Sequence, residues 1–195
     1  MDEGNTKSLS EVDFPGRSWE RDLVNPLIGD SMLELGNKRK GNMIYKHVFE
    51  RAGFRHVSVD INGKDGALKV DLRKPLNLGT FDMVTNFGTS EHVSENSIEG
   101  QVVCWQNILE AMHVGSVLVS ITPREGAPRW LRHGRWYPQE PFFTKMAEIN
   151  GLEIERLYRD EHLIYCRAVR VEDKPFVFCA DGLYRNPNNL IPQIQ

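Results

Sequence analysis

The stretch from residue 31 to residue 60 constrains the fold most, because it changes hydrophobic period twice. Ser31-Met32-Leu33-Glu34-Leu35 is a short apolar run stopped by Gly36, the pattern of a buried strand. From Asn42 to Ala52 the residues Ile44, Val48 and Ala52 recur every four positions, with Tyr45 and Phe49 beside them. Gly53 follows, and the whole predicts an amphipathic helix. His56-Val57-Ser58-Val59-Asp60 is a second strand. Two strands joined through a helix run parallel. A parallel sheet is covered on both faces, so further helices are required.

The rest of the chain supplies them. Ile98, Val102, Trp105, Leu109 and Met112 form a helical stripe between Ser97 and His113, with Gly115 as the stop. Phe142, Met146 and Ile149 mark another helix, closed by Gly151, and Trp19, Leu23 and Leu27 a short one from Ser18 to Ile28. Ala67 to Asp71, Phe81 to Asn86 and Val117 to Ile121 read as strands. Leu152 to Tyr158 and Leu163 to Val171 flank the tight turn Arg159-Asp160-Glu161, which allows only an antiparallel hairpin. About seven residues separate Asp60 from the third strand, too few for a crossover helix. Either that link is a loop or the third strand is absent. Strands alternating with helices make the class α/β.

With 40% hydrophobic and 26% charged residues, a 195-residue chain buries a full core as one domain. We expect that domain over 18–180, a polar N-terminal tail over 1–17 and an irregular Asn- and Pro-rich tail over 181–195. A net charge of −3 gives no global signal for nucleic acid. Cys104, Cys166 and Cys179 are odd in number and far apart; they form no zinc spacing and no disulfide framework. No metal is expected, and the compartment should be reducing. No apolar run approaches the roughly 18 residues of a membrane span. The start Met1-Asp2-Glu3-Gly4-Asn5 lacks the features of a signal peptide. The expectation is a cytoplasmic protein with no membrane contact.

Ligands of open parallel sheets bind beyond the carboxyl ends of the strands. Four such ends carry small or acidic residues: Glu34-Leu35-Gly36-Asn37, Asp60, Asp71-Leu72 and Asn86-Phe87-Gly88. Gly36 lets a backbone approach a ligand closely. Asp60 is placed to accept hydrogen bonds from a ribose diol. Each of these residues alone also suits a turn or a helix cap.

In their order and spacing, Met32-Leu33-Glu34-Leu35-Gly36, Val57-Ser58-Val59-Asp60-Ile61, Val70-Asp71-Leu72 and Phe81 through Phe87 resemble class I S-adenosylmethionine-dependent methyltransferases. In the small-molecule branch of that superfamily a Glu-His-Val segment follows the fourth strand, as Glu91-His92-Val93 does here. The resemblance covers about residues 30 to 170. It implies a Rossmann-like, mostly parallel seven-stranded sheet with the last strand antiparallel in a C-terminal hairpin and helices on both faces. It also implies S-adenosylmethionine as cofactor. Glu34 and Gly36, with Asn37, match the segment that cradles the methionine part. Asp60 matches the ribose-binding acid, with Ile61 beside the adenine. Asp71 and Leu72 match the adenine edge, and Asn86 and Phe87 the segment beside the sulfonium. The family loop carries two further alternate glycines, where this chain has Lys38 and Lys40. Those lysines either meet the cofactor carboxylate or form a solvated turn.

His92 and His133 are the candidate bases; His92 equally suits a turn-ordering histidine. From Thr122 to Tyr137 the chain holds Arg124, Arg129, Arg132 and Arg135 against the single acid Glu125, with Trp130, His133, Trp136 and Tyr137 interleaved. Guanidinium planes and aromatic faces suit an anionic or planar acceptor, and we assign Arg132, Arg135, Trp136 and Tyr137 to it. A surface loop packing its aromatics on the core has the same composition. Single-stranded nucleic acid would also suit it, though the acidic whole disfavours that. The reading is a methyltransferase for a small anionic acceptor. The alternatives are an NAD(P)-binding oxidoreductase, which would lack its Gly-x-Gly-x-x-Gly, and a non-catalytic binding protein on the same fold.

Overall fold

A computed structural model describes residues 6–7, 22–94 and 97–189. Its main sheet has seven strands: β1 Ser31–Leu35, β2 Arg55–Asp60, β3 Leu68–Lys69, β4 Phe81–Phe87, β5 Met112–Pro123, β6 Leu152–Arg159 and β7 Leu163–Arg170. Their spatial order is β6-β7-β5-β4-β1-β2-β3. All neighbours from β3 to β5 are parallel, and β7 is antiparallel to both β5 and β6. The strand order reverses around β1, the position where open α/β sheets leave a crevice.

Helices α1 Tyr45–Arg51, α2 Glu99–Glu110 and α3 Glu140–Asn150 cover the faces. Side chains alternate along β1: Leu33 and Leu35 join the core under α2 and α3, with Trp105, Ile108, Phe142 and Met146. Met32 joins the opposite core under α1, with Val48, Phe49 and Leu23. Gly151 ends α3 in the left-handed conformation, φ +70°, as its position predicted. Helix α2 ends earlier than Gly115, because Met112 already pairs with Phe81 at the start of β5. Buried Arg170 donates to Leu109 O (2.8 Å) and Met112 O (2.7 Å), satisfying carbonyls that this helix end leaves open.

The short link before β3 is a loop. Gly63 N donates to Asp60 O and Ala67 N to Lys64 O, and two residues then pair with β2. Of the helix expected over Ser18 to Ile28, residues 18–21 lie outside the described residues and 22–24 are helical. Pro26 disfavours helix at Asn25, and Leu27–Ile28 instead pairs antiparallel with Thr6–Lys7, inside the expected tail. The remainder of the 1–17 tail lies outside the described residues. At the other end Leu183–Arg185, in the segment expected to be irregular, pairs antiparallel with Trp136–Pro138.

Candidate functional site

Beyond β1 the chain turns at Gly36, whose φ of +73° suits glycine. A Cβ there would stand 2.3 Å from Thr89 Oγ1, which donates to Leu35 O at 2.7 Å. The following segment is a small hairpin, Arg39–Lys40 against Met43–Ile44, with Gly41 (φ +59°) first in a two-residue turn. Glu34 is fully buried below it and accepts from Lys38 N at 3.0 Å. Burial raises the Glu34 pKa, opposed first by His56, whose Nε2 lies 3.3 Å from Oε2. Asn37 Nδ2 donates to Lys64 O and Asp65 O, tying this loop to the β2–β3 link.

Two cavities open along the carboxyl edge of the sheet, and Gly88 and His92 line both. The smaller, about 290 Å³, is walled by Val59, Asp60, Ile61, Val70, Asp71 and Leu72, and by Val93 and Ser94 from the segment after β4. Asp60 Oδ1 accepts from Asn62 N at 2.9 Å; among the described residues nothing donates to Oδ2. Ile61 is 64% exposed, unusual for an isoleucine. Asp71 is held by a two-pronged contact with Arg73, at 2.8 Å from Nε to Oδ1 and 2.8 Å from Nη2 to Oδ2. That guanidinium lowers its pKa.

The larger cavity, about 380 Å³, is lined by basic Lys38, Arg39, Lys40 and Arg129 and by aromatic Tyr45, Phe87 and Trp130. Glu91, His92 and His133 meet in its wall. The two imidazole Nε2 atoms are 3.2 Å apart, and Glu91 Oε1 lies 3.8 Å from the first and 3.7 Å from the second. Burial pushes the Glu91 carboxyl up to about 7, opposed by its own backbone N–H and by Lys38. Burial, then the nearby His133, Arg135 and Lys38, brings His92 down to about 4, and His133 is lowered by burial and Lys38. Both imidazoles are thus neutral at neutral pH, with lone pairs to offer. The β4 turn and the loop after β5 are locked together by Arg135 N donating to Glu91 O at 2.7 Å.

No protein-family model and no curated protein sequence matches the chain. Solved structures do match in shape. An N-methyltransferase, NodS, from Bradyrhizobium japonicum, solved with S-adenosylhomocysteine, superposes with a TM-score of 0.56 at 16% identity, over 73% of this chain and 79% of its own. A TehB-like S-adenosylmethionine-dependent methyltransferase from Corynebacterium glutamicum gives 0.55 at 16%, over 76% and 85%. The 1,6-didemethyltoxoflavin-N1-methyltransferase of Burkholderia thailandensis gives 0.54 at 14%, over 73% and 71%. The fold is that of class I S-adenosylmethionine-dependent methyltransferases.

On this methyltransferase fold the smaller cavity fits an adenosine by its donor set: apolar walls for a base and an acid with an open oxygen for a diol. Asp60, Ile61, Asp71 and Leu72 are brought together there, and Phe87 lines the adjoining cavity. Glu34, Gly36, Asn37 and Asn86 line neither. Asn86 is fully buried and spent locally, its Nδ2 donating to Ser90 Oγ and Ser120 Oγ and its Oδ1 accepting from Ser90 N. In the arginine segment the cavity takes Arg129, Trp130 and His133, while Arg132, Arg135, Trp136 and Tyr137 line neither cavity. Trp136 and Tyr137 are buried in the strand paired with Leu183–Arg185; Trp136 Nε1 donates to Ser94 O, and the Tyr137 hydroxyl to Trp130 O. Arg129 and Trp130, legible in the sequence as part of the basic aromatic segment, were not among the residues assigned to the acceptor. The guanidinium of Arg129 lies 4.9 Å from the Trp130 ring centroid, a pairing their adjacency could have suggested.

Proposed function

We propose that the protein is an S-adenosylmethionine-dependent methyltransferase acting on a small acceptor that carries phosphate or carboxylate. The observation that carries this reading is the pair of abutting cavities: an acid-bearing apolar one and a basic, histidine-bearing one, on a methyltransferase fold. Bound in the first, S-adenosylmethionine supplies an activated methyl group on a sulfonium. Asp60 accepts from the ribose, and Ile61, Val70 and Leu72 take the base. Phe87, at the end of β4, walls the space between cofactor and acceptor. Lys38 and Arg129 hold the acceptor anion, and His92 or His133, neutral and within the cavity, takes its proton. The rest of the catalysis is proximity in a site shielded from water. The free cysteines, two of them buried, support a reducing, cytoplasmic setting.

The test is transfer of a labelled methyl group from S-adenosylmethionine to a panel of small phosphates and carboxylates. An acceptor should be found, and Arg129→Ala should raise its KM by about tenfold or more, a lost charge-assisted contact, with S-adenosylhomocysteine affinity unchanged. Equal loss of cofactor affinity would move Arg129 to the cofactor. The hairpin that replaces the glycine-rich loop favours a second reading, a cofactor-binding protein without catalysis. Tight S-adenosylhomocysteine binding with no transfer to any acceptor would select it.

A further inference from the structure

Glu91 has no part in the proposed methyl transfer, yet it stands in the wall of the acceptor cavity. Its side chain is fully buried, and neither carboxylate oxygen has a hydrogen-bond partner among the described residues. A buried carboxylate left so costs several kcal/mol unless a cation, donors or a proton meet it. Two imidazole nitrogens, from the adjacent His92 and from His133 in the loop after β5, lie 3.8 and 3.7 Å from its Oε1, and the three ligand atoms all lie within 4.8 Å of one another. From these observations we propose that Glu91, His92 and His133 form a binding site for a divalent transition-metal ion of the zinc class, with its open coordination positions facing the 380 Å³ cavity.

The distances support one shared ion rather than three neighbours by chance. With sides of 3.2, 3.7 and 3.8 Å, a point in the plane of the three atoms and equidistant from them lies about 2.1 Å from each, the length of Zn–N and Zn–O bonds. Two nitrogens and one carboxylate leave at least one position for water or acceptor, as in catalytic rather than structural sites. The geometry is built by more than these residues. Gly134 has no side chain because a Cβ there would stand 2.7 Å from Glu91 Cγ and 2.9 Å from its Cβ. That absence lets the loop press His133 onto Glu91. His162, whose buried Nδ1 has no hydrogen-bond partner among the described residues, lines the same cavity.

The donor set also selects the ion. Imidazole nitrogens suit zinc, cobalt, nickel and iron, whereas magnesium and calcium take oxygens. Lys38, Arg39, Lys40 and Arg129 around the cavity repel a free cation, so directional coordination must supply the affinity. With the ion in place, the Nε2 lone pairs of His92 and His133 are held by it and no longer serve as bases; an acceptor bearing an anionic group and a hydroxyl would instead meet the basic rim and the metal together. That last consequence rests on the methyltransferase reading; the metal site itself does not.

The competing account is a simple hydrogen bond between the two imidazoles, with no ion. Calorimetric titration of the chelator-stripped, dialysed full chain with Zn²⁺, Co²⁺ and Mg²⁺ separates the two, with the visible absorption of bound Co²⁺ as a direct sign of coordination. We expect one Zn²⁺ or Co²⁺ per chain, no binding of Mg²⁺, and at least a tenfold loss of affinity in both His133→Ala and Glu91→Gln. Melting curves show which variants fold; if buried Glu91→Gln does not, His133→Ala, at an exposed position, decides. No Zn²⁺ or Co²⁺ binding, binding that the folded variants leave unchanged, or a preference for Mg²⁺ would overturn the site. S-adenosylhomocysteine is titrated into the same protein. Its binding without metal binding removes the metal site and leaves the methyltransferase reading; metal binding without it does the reverse.

Discussion

Three side chains show how single residues divide between ligand and scaffold. Asp60 lines the smaller cavity with only one oxygen tied to its own turn. Asp60→Ala should therefore weaken S-adenosylhomocysteine binding by about 1.5–3 kcal/mol, the worth of charged hydrogen bonds, while leaving the melting temperature near the parent's. A variant that melts far lower would make Asp60 a scaffold residue. Arg167 is the opposite case. It is 2% exposed, pairs with Glu155 at 2.6 Å, and donates to the carbonyls of Leu23, Val24 and Pro26. Arg167→Ala leaves those carbonyls buried and unmet, which should cost about 3 kcal/mol or more in chemical denaturation. Asp82 sets an acid limit. Burial pushes its carboxyl up, but Ser31 Oγ, Asp30 N, Ser31 N and His113 outweigh burial and hold it at about 2. A pKa depressed on folding gives stability that is present above the unfolded value near 3.8 and lost as pH falls through about 2. With part of the side chain exposed, screening reduces this to about 1 kcal/mol. Asp82→Asn should therefore lower stability at pH 6 and by much less near pH 2, as denaturation at both pH values would show; an equal loss at both would assign the effect to packing.

At the scale of elements, the loop after β5 matters through where it is pinned. Its end is a strand held by Leu183–Arg185, and Asn186 Nδ2 donates to Gly134 O (2.7 Å) and the Tyr137 hydroxyl (2.7 Å). Gly134→Ala puts a methyl 2.7 Å from Cγ and 2.9 Å from Cβ of buried Glu91. It should destabilise the protein by about 1–3 kcal/mol and part His133 from His92, seen as a lower melting temperature together with weaker Co²⁺ binding. An unperturbed melt would mean that the loop yields freely. The elements themselves were legible where periodicity was strong. The stripe from Ile98 to Met112 became α2, and Ser31 to Asp60 became β1, α1 and β2. Legibility failed where tertiary pairing decides: the strand at Leu183–Arg185 exists because of a distant partner, Trp136–Pro138, that no local pattern names. The Arg39–Lys40 hairpin did carry a local signal, Gly41-Asn42, which the helix expected from Asn42 obscured. The site follows the same rule. The acids at strand ends could be read from β-strand limits, but the approach of His133 to His92, 41 positions apart, depends on Gly134. The arginines were counted correctly as a basic segment; which of them face the cavity depends on the turn at Pro128–Trp130.

For the molecule as a whole, the reversal of strand order at β1 and the lone antiparallel β7 put both cavities on one edge, between the ends of β2, β3, β4 and β5. The fold supplies the crevice, and the chemistry around it must say what enters. On the proposed reading the crevice takes S-adenosylmethionine in spite of the lysines and the hairpin that stand where glycines are usual. Calorimetric titration with S-adenosylhomocysteine, and separately with NAD, tests this most directly. One site for S-adenosylhomocysteine is expected, with a rise in stability of about 2.7 kcal/mol at one hundred times its dissociation constant and marked weakening in Asp60→Ala. Heat and stabilisation from NAD, with none from millimolar S-adenosylhomocysteine, would contradict the reading.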